Sequence, residues 1–112
     1  MSYLTIIDGG AGRTLQSTEA AALIADCLAA FAGGCTAALY DLGVAFSTGS
    51  HGAACDLIEA HKWFNIAAAR GHEEAAWCRA DVAEEMTARE IAEAQRRARE
   101  WLKADAADRR AA

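Results

Sequence analysis

Residues 38–71 read ALYDLGVAFSTGSHGAACDLIEAHKWFNIAAARG, and this stretch determines the fold. Small and aromatic residues recur in it at spacings of three, four and seven positions, on both sides of one glycine-rich loop. These spacings place side chains on one face of an α-helix, so the stretch predicts a hairpin of two helices. Gly43 would let the facing helix approach closely, while Trp63 and Phe64 would supply most of the buried area.

The same positions resemble the Sel-one-like repeat, a relative of the tetratricopeptide repeat. The matching residues are Ala38, Leu42, Gly43, Phe46, Gly49, Asp56, Ala60, Trp63, Phe64, Ala67, Ala68, Gly71 and Ala75. The loop departs from the family pattern, because it has one extra residue and carries Ala53 where the family favours valine. The resemblance implies stacked helical pairs in a short right-handed α-solenoid that binds proteins, usually without catalysis.

The length of 112 residues is that of a single domain, and no proline interrupts its helices. Residues 3–7 favour an extended segment, and the glycines at positions 9, 10 and 12 interrupt regular structure. The domain, residues 1–112, is expected to contain an N-terminal arm (1–13), the clearest repeat (38–75) and a degenerate capping hairpin (76–112).

Five helices are expected, which makes the predicted fold class all-α. Cap residues and glycine stops give their approximate bounds: Leu15 or Ser17 to Ala32, Thr36 to Thr48, Cys55 or Asp56 to Arg70, Glu73 to Met86, and a last helix that starts at the capping box of Thr87 and Glu90 and frays over Ala104–Ala112. Thr36 is a candidate N-cap. The fourth helix has Arg79 and Ala80 in place of the Leu-Gly pair of the second, so the hairpin that it starts is expected to act as a cap.

Charge and hydropathy narrow the classes of function. The formal net charge is −5, which argues against a general nucleic-acid binder, since such proteins need a net basic face. No apolar run is long enough for a membrane span, and the N-terminus lacks the basic start of a secretory signal. We therefore expect a cytoplasmic protein with reduced cysteines and with no nucleic-acid or membrane partner.

The cysteines and histidines have the chemistry of metal ligands and nucleophiles but not the spacing. His51 and Cys55 form the only closely spaced pair, whereas a zinc site needs four convergent donors, so we expect no metal and no cofactor. The expected core thiols are Cys27, Cys35 and Cys78. A disulfide bridge between Cys27 and Cys35 is geometrically conceivable. His51 and His61 are expected at the surface. A small hydrolase or thiol enzyme on the same scaffold remains an alternative.

Three arginines form one basic cluster in the fifth helix: Arg96, Arg97 and Arg99. With Trp101 nearby, the cluster resembles a patch for nucleic acid or an anionic membrane. Glu93 and Glu100 are interleaved with these arginines, which favours a salt-bridged, solvent-exposed helix instead.

The predicted function is protein–protein interaction, as a small non-catalytic adaptor or regulator. One outward stripe of the second helix and the matching positions of the fourth suggest a concave, acidic and aromatic groove for a helix or an extended peptide. Its predicted residues are Tyr40, Asp41, Val44, Trp77 and Asp81. In this hypothesis the aromatic residues anchor the ligand and the acids steer a basic one. The alternative is that Trp77 packs on the fifth helix.

The first helix is apolar nearly all round, which is typical of a helix that is buried on more than one side. Between residues 17 and 32, only Glu19 and Asp26 are charged. The arm is too short to cover this helix, so a two-fold homodimer is expected, with Leu23 and Phe31 in the interface. A structural subunit that completes its short solenoid by self-association is therefore a second alternative function.

Overall fold

The computed structural model describes the backbone of residues 9–50 and 53–111 and the side chains of residues 19–50 and 53–110. Within those ranges the chain is all-α, as predicted, with five helices: α1 (Gly9–Ala32), α2 (Ala37–Thr48), α3 (Leu57–Ala69), α4 (Glu73–Ala83) and α5 (Ala88–Ala111). None of these described helices combines the length and the apolar character that a membrane-spanning helix needs.

α1 begins earlier than the sequence predicts. Instead of an arm over residues 1–13, the helix starts at Gly9, so positions 9–13 are helical. Glycine lowers helix propensity by about 1 kcal/mol relative to alanine, but it keeps its backbone donor and can extend a helix that has already formed. Residues 1–8, with the expected extended segment over 3–7, lie outside the described residues.

α5 is longer than expected at its C-terminal end. The segment Ala104–Ala112, which is expected to fray, is helical as far as Ala111. Asp105 Oδ2 accepts hydrogen bonds from Arg70, the residue that follows α3, at 2.6 Å and from Arg109 of α5 at 2.9 Å. Burial by itself raises the pKa of Asp105, but these two hydrogen bonds lower it overall. The carboxylate therefore stays charged and holds the end of α5 on α3.

Cap residues begin two helices where the sequence places them. The Asp56 carboxylate accepts two backbone N–H groups of the first turn of α3, at 3.1 and 3.2 Å. The predicted capping box is confirmed at α5, because Thr87 and Glu90 exchange two hydrogen bonds between side chain and backbone. Thr36 occupies the N-cap position of α2, as predicted, but its side chain makes no capping hydrogen bond.

α3 is the central helix of the domain. α2, α4 and α5 all pack against it, and α1 packs on α2. α4 and α5 pack on α3 rather than on each other, so the capping hairpin expected over residues 76–112 is open. The molecule is flat, 47 × 36 × 20 Å, and its shortest dimension is about two helix diameters. A short solenoid of helical pairs is compatible with this arrangement.

Two neighbouring aromatic residues of α3 form the centre of the core. Trp63 and Phe64 are each 2% exposed. Phe64 faces α2, where a Cβ added at Gly43 would lie 2.5 Å from two of its ring carbons. Trp63 faces α5 and meets Trp101 edge to face, with the ring centroids 5.8 Å apart. The absence of a side chain at Gly43 is therefore what lets α2 approach α3.

The other repeat positions lie in the core or in its turns. Most of them are buried: Ala38, Leu42, Phe46, Ala60, Ala67 and Ala75. Ala68 is half-buried and packs against the same core. Gly49 and Gly71 have left-handed backbones, with φ of 72° and 97°, which residues with a Cβ rarely adopt.

Candidate functional site

Trp77 of α4 projects into solvent. Its exposed fraction is 75%, and no other large apolar side chain of the described residues is exposed. α4 buries Ala75 and Val82, and these positions lie on the opposite side of the helix from Trp77. Trp77 therefore does not pack on α5, contrary to the alternative interpretation of the sequence.

Carboxylates surround Trp77 on the exposed side of α4. Four exposed acids lie on α4 or at its C-cap, namely Glu73, Glu74, Asp81 and Glu84, and a fifth exposed acid, Asp41, lies on the neighbouring helix α2. The first four lie three, four or seven positions from Trp77, which places them on the same side of the helix as the indole. None of the five has an ion-pair partner among the residues that the structure describes. We call Trp77 and these five acids the acidic Trp77 face.

Tyr40 of α2 contacts the start of α4 and joins the two helices. Its ring stacks on His72 with centroids 4.5 Å apart, and it meets Phe64 at 5.7 Å. The Cys78 thiol donates a hydrogen bond to the Tyr40 hydroxyl at 3.7 Å. His72 in turn accepts a backbone N–H of α4 and caps that helix. Since the Tyr40 ring already has these partners, Trp77 is the aromatic side chain left for a ligand.

Carboxylates from both α2 and α4 act on the Tyr40 hydroxyl. Its hydrogen bond with Cys78, its partial burial and the nearby charges of Glu74 and Asp41 raise the pKa of Tyr40 to about 12. These two carboxylates come from different helices, yet both act on one hydroxyl group. Asp41 of α2 and Glu74 of α4 are thus both close enough to Tyr40 to influence its hydroxyl.

The structure places the predicted groove residues in two groups. Asp41, Trp77 and Asp81 are exposed, whereas Tyr40 and Val44 are half-buried against the core. Three acids of the face are absent from the prediction: Glu73, Glu74 and Glu84. Their helical spacing from Trp77 is the signal that identifies them in the sequence.

His61 is buried, contrary to its expected surface position. Its side chain is 3% exposed. Burial lowers the pKa of His61, and the positive charge of Arg79 on α4 lowers it further. Nδ1 of His61 has no hydrogen-bond partner in the described structure, so the neutral ring acts as a core side chain. His51 lies outside the described residues.

All four cysteines are free in the structure. Cys35 is exposed, contrary to its expected core position, because it lies in the turn between α1 and α2. Burial raises the pKa of the Cys27 thiol, and the charge of Asp41 adds to the shift, whereas a nucleophilic cysteine needs a lowered pKa. Within residues 19–50 and 53–110, no three His, Cys, Asp or Glu side chains are grouped to hold a metal ion.

Two of the three arginines in the basic cluster, Arg96 and Arg97, form ion pairs with glutamates. Arg96 pairs with Glu93 and Glu100, each at 2.7 Å. Arg97 pairs with Glu93 at 2.6 Å and with Glu59 of α3 at 2.8 Å. Hydrogen bonds from both arginines lower the pKa of Glu93 to about 2. The predicted salt-bridged helix is confirmed, and the pair of Arg97 with Glu59 also fixes α5 on α3.

The other bases on the outer side of α5 have no such partners. Four exposed residues of this side take part in no ion pair with the described chain: Arg89, Arg99, Lys103 and Arg110. Helical spacing puts all four on the side of α5 away from Trp101, which faces the core. We call them the basic α5 stripe; the sequence prediction missed it, because it considered only the neighbouring arginines.

An open groove of about 490 Å³ lies between the ends of α1 and α5. It is lined by Leu28, Phe31, Ala32, Trp101, Ala104, Asp105, Asp108 and Arg109. Phe31 is buried, and its ring centroid lies 5.9 Å from that of Trp101. The Arg109 guanidinium lies over the Phe31 ring, 5.4 Å from its centroid. Phe31, predicted for a dimer interface, is therefore covered by α5 of the same chain. Leu23 is half-buried against the core, and self-association through these two residues stays a prediction.

The acidic Trp77 face has the chemistry of a binding surface. An exposed indole attracts cationic groups through its ring and buries a large apolar area when a partner covers it. Carboxylates without partners attract basic side chains over distances up to the Debye length. Comparisons of the chain with family models, with curated proteins and with solved structures found no match.

Proposed function

We propose that the protein is a non-catalytic interaction module of the Sel-one-like repeat type, a small adaptor or regulator. Its acidic Trp77 face binds a basic helix or extended peptide of another protein. The observation that carries this proposal is the 75% exposure of Trp77 on a face whose five acids have no ion-pair partners among the described residues. Tryptophan is enriched among the residues that dominate binding energy at protein interfaces.

The acids and the indole have different roles in this proposal. The carboxylates raise the association rate of a basic ligand and exclude acidic ones. Trp77 supplies the apolar area that lengthens the lifetime of the complex, together with cation–π contact to an arginine or lysine. The four free cysteines fit a reducing compartment, and we propose the cytoplasm as the location.

Affinity capture with Trp77→Ala tests this function. Wild-type chain on a resin is expected to retain a stoichiometric partner from an extract of the source cell, and the variant is expected to lose it. Because Trp77 is exposed, the substitution should change the free energy of unfolding by no more than about 0.5 kcal/mol. Gln95→Ala, an exposed change on α5, is the matched control and should retain the partner.

Two results would contradict the proposal. One is equal capture by the wild type and by Trp77→Ala. The other is a large fall in the melting temperature of Trp77→Ala, since that would place the indole in the folded core and make the loss of capture uninformative.

A further inference from the structure

The same chain carries the charges that complement its acidic Trp77 face. The basic α5 stripe presents four positive charges without partners among the described residues, and the acidic face presents five negative ones. Exposed alanines lie among the bases on the outer side of α5, at Ala88, Ala92 and Ala107. Small residues at these positions let a bulky indole approach the α5 backbone closely.

These two surfaces point away from each other within one molecule. α5 packs on the side of α3 that carries Trp63, which meets Trp101 at 5.8 Å. α4 packs on the side that carries Asn65, which accepts a hydrogen bond from Arg79 at 3.2 Å. Positions two apart on a helix differ in direction by about 200°, so α4 and α5 lie on nearly opposite sides of α3. Their outer faces cannot pair inside a single chain.

We propose that the basic α5 stripe of one molecule binds the acidic Trp77 face of a second copy. The inference rests on the proposed binding role of the acidic Trp77 face and names one partner for it, a second copy of the chain. Arg99 and Lys103, four residues apart, lie one turn from each other on α5, and Glu73 and Asp81 lie one turn on either side of Trp77. Arg99 can therefore lie over the indole while Lys103, one turn along α5, meets one of the two flanking carboxylates.

This contact joins two different faces, so it is heterologous. Each added copy leaves one free acidic face and one free basic stripe, and association continues unless the rotation closes a ring. It differs from the two-fold dimer through α1 that the sequence suggests. The contact is largely between exposed charges, so salt weakens it: the Debye length falls from about 10 Å at 0.1 M to about 3 Å at 1 M.

Sedimentation equilibrium of the intact chain tests this inference. In about 20 mM NaCl, where screening is weak, the weight-average mass is expected to exceed 11.8 kDa and to rise with protein concentration. In 1 M NaCl it should return to 11.8 kDa. Trp77→Ala should weaken the association at low salt by about tenfold or more, as loss of a central aromatic does.

Charge reversal identifies the two faces. One variant carries Arg99→Glu and Lys103→Glu, and the other carries Glu73→Lys and Asp81→Lys. Each variant alone should be monomeric at low salt, because its two faces now repel. A one-to-one mixture should associate again, since every contact between the variants pairs opposite charges. Lys103→Arg is the control and should associate like the wild type; circular dichroism checks that all variants stay folded.

Two outcomes overturn the inference. A wild-type chain that stays at 11.8 kDa at low salt and several hundred micromolar has no such self-association. Association that both charge-reversed variants retain, or that 1 M NaCl leaves unchanged, uses another surface. In either case, loss of a different captured protein by Trp77→Ala would leave the proposed function standing, so failure of the inference is distinguishable from failure of the function.

Discussion

Replacing Gly43 by alanine is predicted to destabilise the domain, although alanine is the better helix former. An added Cβ would lie 2.5 Å from Cδ1 and Cε1 of Phe64 and 2.9 Å from its Cγ, whereas ordinary contact begins at 3.4 Å. The ring has little room to move away, because it is 2% exposed and meets Tyr40 at 5.7 Å. Either the ring leaves its rotamer or α2 moves away from α3.

Two opposed effects determine how much Gly43→Ala changes the free energy of unfolding. Alanine in place of glycine stabilises a helix interior by about 1 kcal/mol. Overpacking of a filled core costs about 1–3 kcal/mol, and the short distances here favour the upper end. The net expectation is a loss of about 2 kcal/mol, which lowers the melting temperature of a domain of this size by about 8 °C.

Thermal and urea denaturation followed by circular dichroism measure the effect, and a double-mutant cycle assigns it. In a Phe64→Leu background the smaller side chain leaves space for the Cβ, so Gly43→Ala should cost much less there. Gly33→Ala is the control, because a Cβ at that position makes only ordinary contacts at 3.5 and 3.8 Å. An unchanged or raised melting temperature for Gly43→Ala, or equal costs in both backgrounds, would refute the steric explanation.

Two further predictions concern a cap and a buried histidine. Asp56→Ala should destabilise the domain by about 1 kcal/mol, because two N–H groups of α3 lose their acceptor; a urea midpoint equal to that of the wild type would contradict this. The lowered pKa of His61 means that the unfolded chain binds a proton near pH 6.5 while the folded chain does not, so stability falls as the pH drops below 6.5. Urea midpoints between pH 7.5 and 5.5 should fall less for His61→Gln than for the wild type, and parallel curves would show that burial of His61 does not contribute.

Local spacing was sufficient to predict the central hairpin. Gly43, Trp63 and Phe64 each lie in a helix whose periodic pattern and glycine stop are present within a few residues. The same local rules were insufficient for α1, where glycines at the start lower helix propensity without ending the helix. They also misplaced His61, because a polar residue next to a strong apolar stripe is buried only when the neighbouring helix covers it, and α4 does so here.

The candidate site was predicted in part for a similar reason. Trp77 and Asp81 were predicted from helical spacing on α4, whereas Glu73, Glu74 and Glu84 were not. The exposure of this side follows from the narrow buried side of the helix. Tyr40 was expected as a second anchor, yet it packs on His72, which is far from it in the sequence. A pattern within one helix shows which residues share a side, but it does not show which other helix will cover that side.

Ion pairs between helices help to explain the uneven distribution of charge on the surface of the protein. Glu59 and Asp105 are neutralised by Arg97 and Arg70, partners that are more than 30 positions away in the sequence, and both pairs join α3 to α5. The α3–α5 contact therefore uses acids and bases in equal number and contributes nothing to the net charge of −5. Outside this contact, an acidic excess lies on α2 and α4, and a basic set lies on the outer side of α5. A partner binds one of these charged faces rather than the whole surface. The net charge of the chain therefore does not by itself predict what the protein binds.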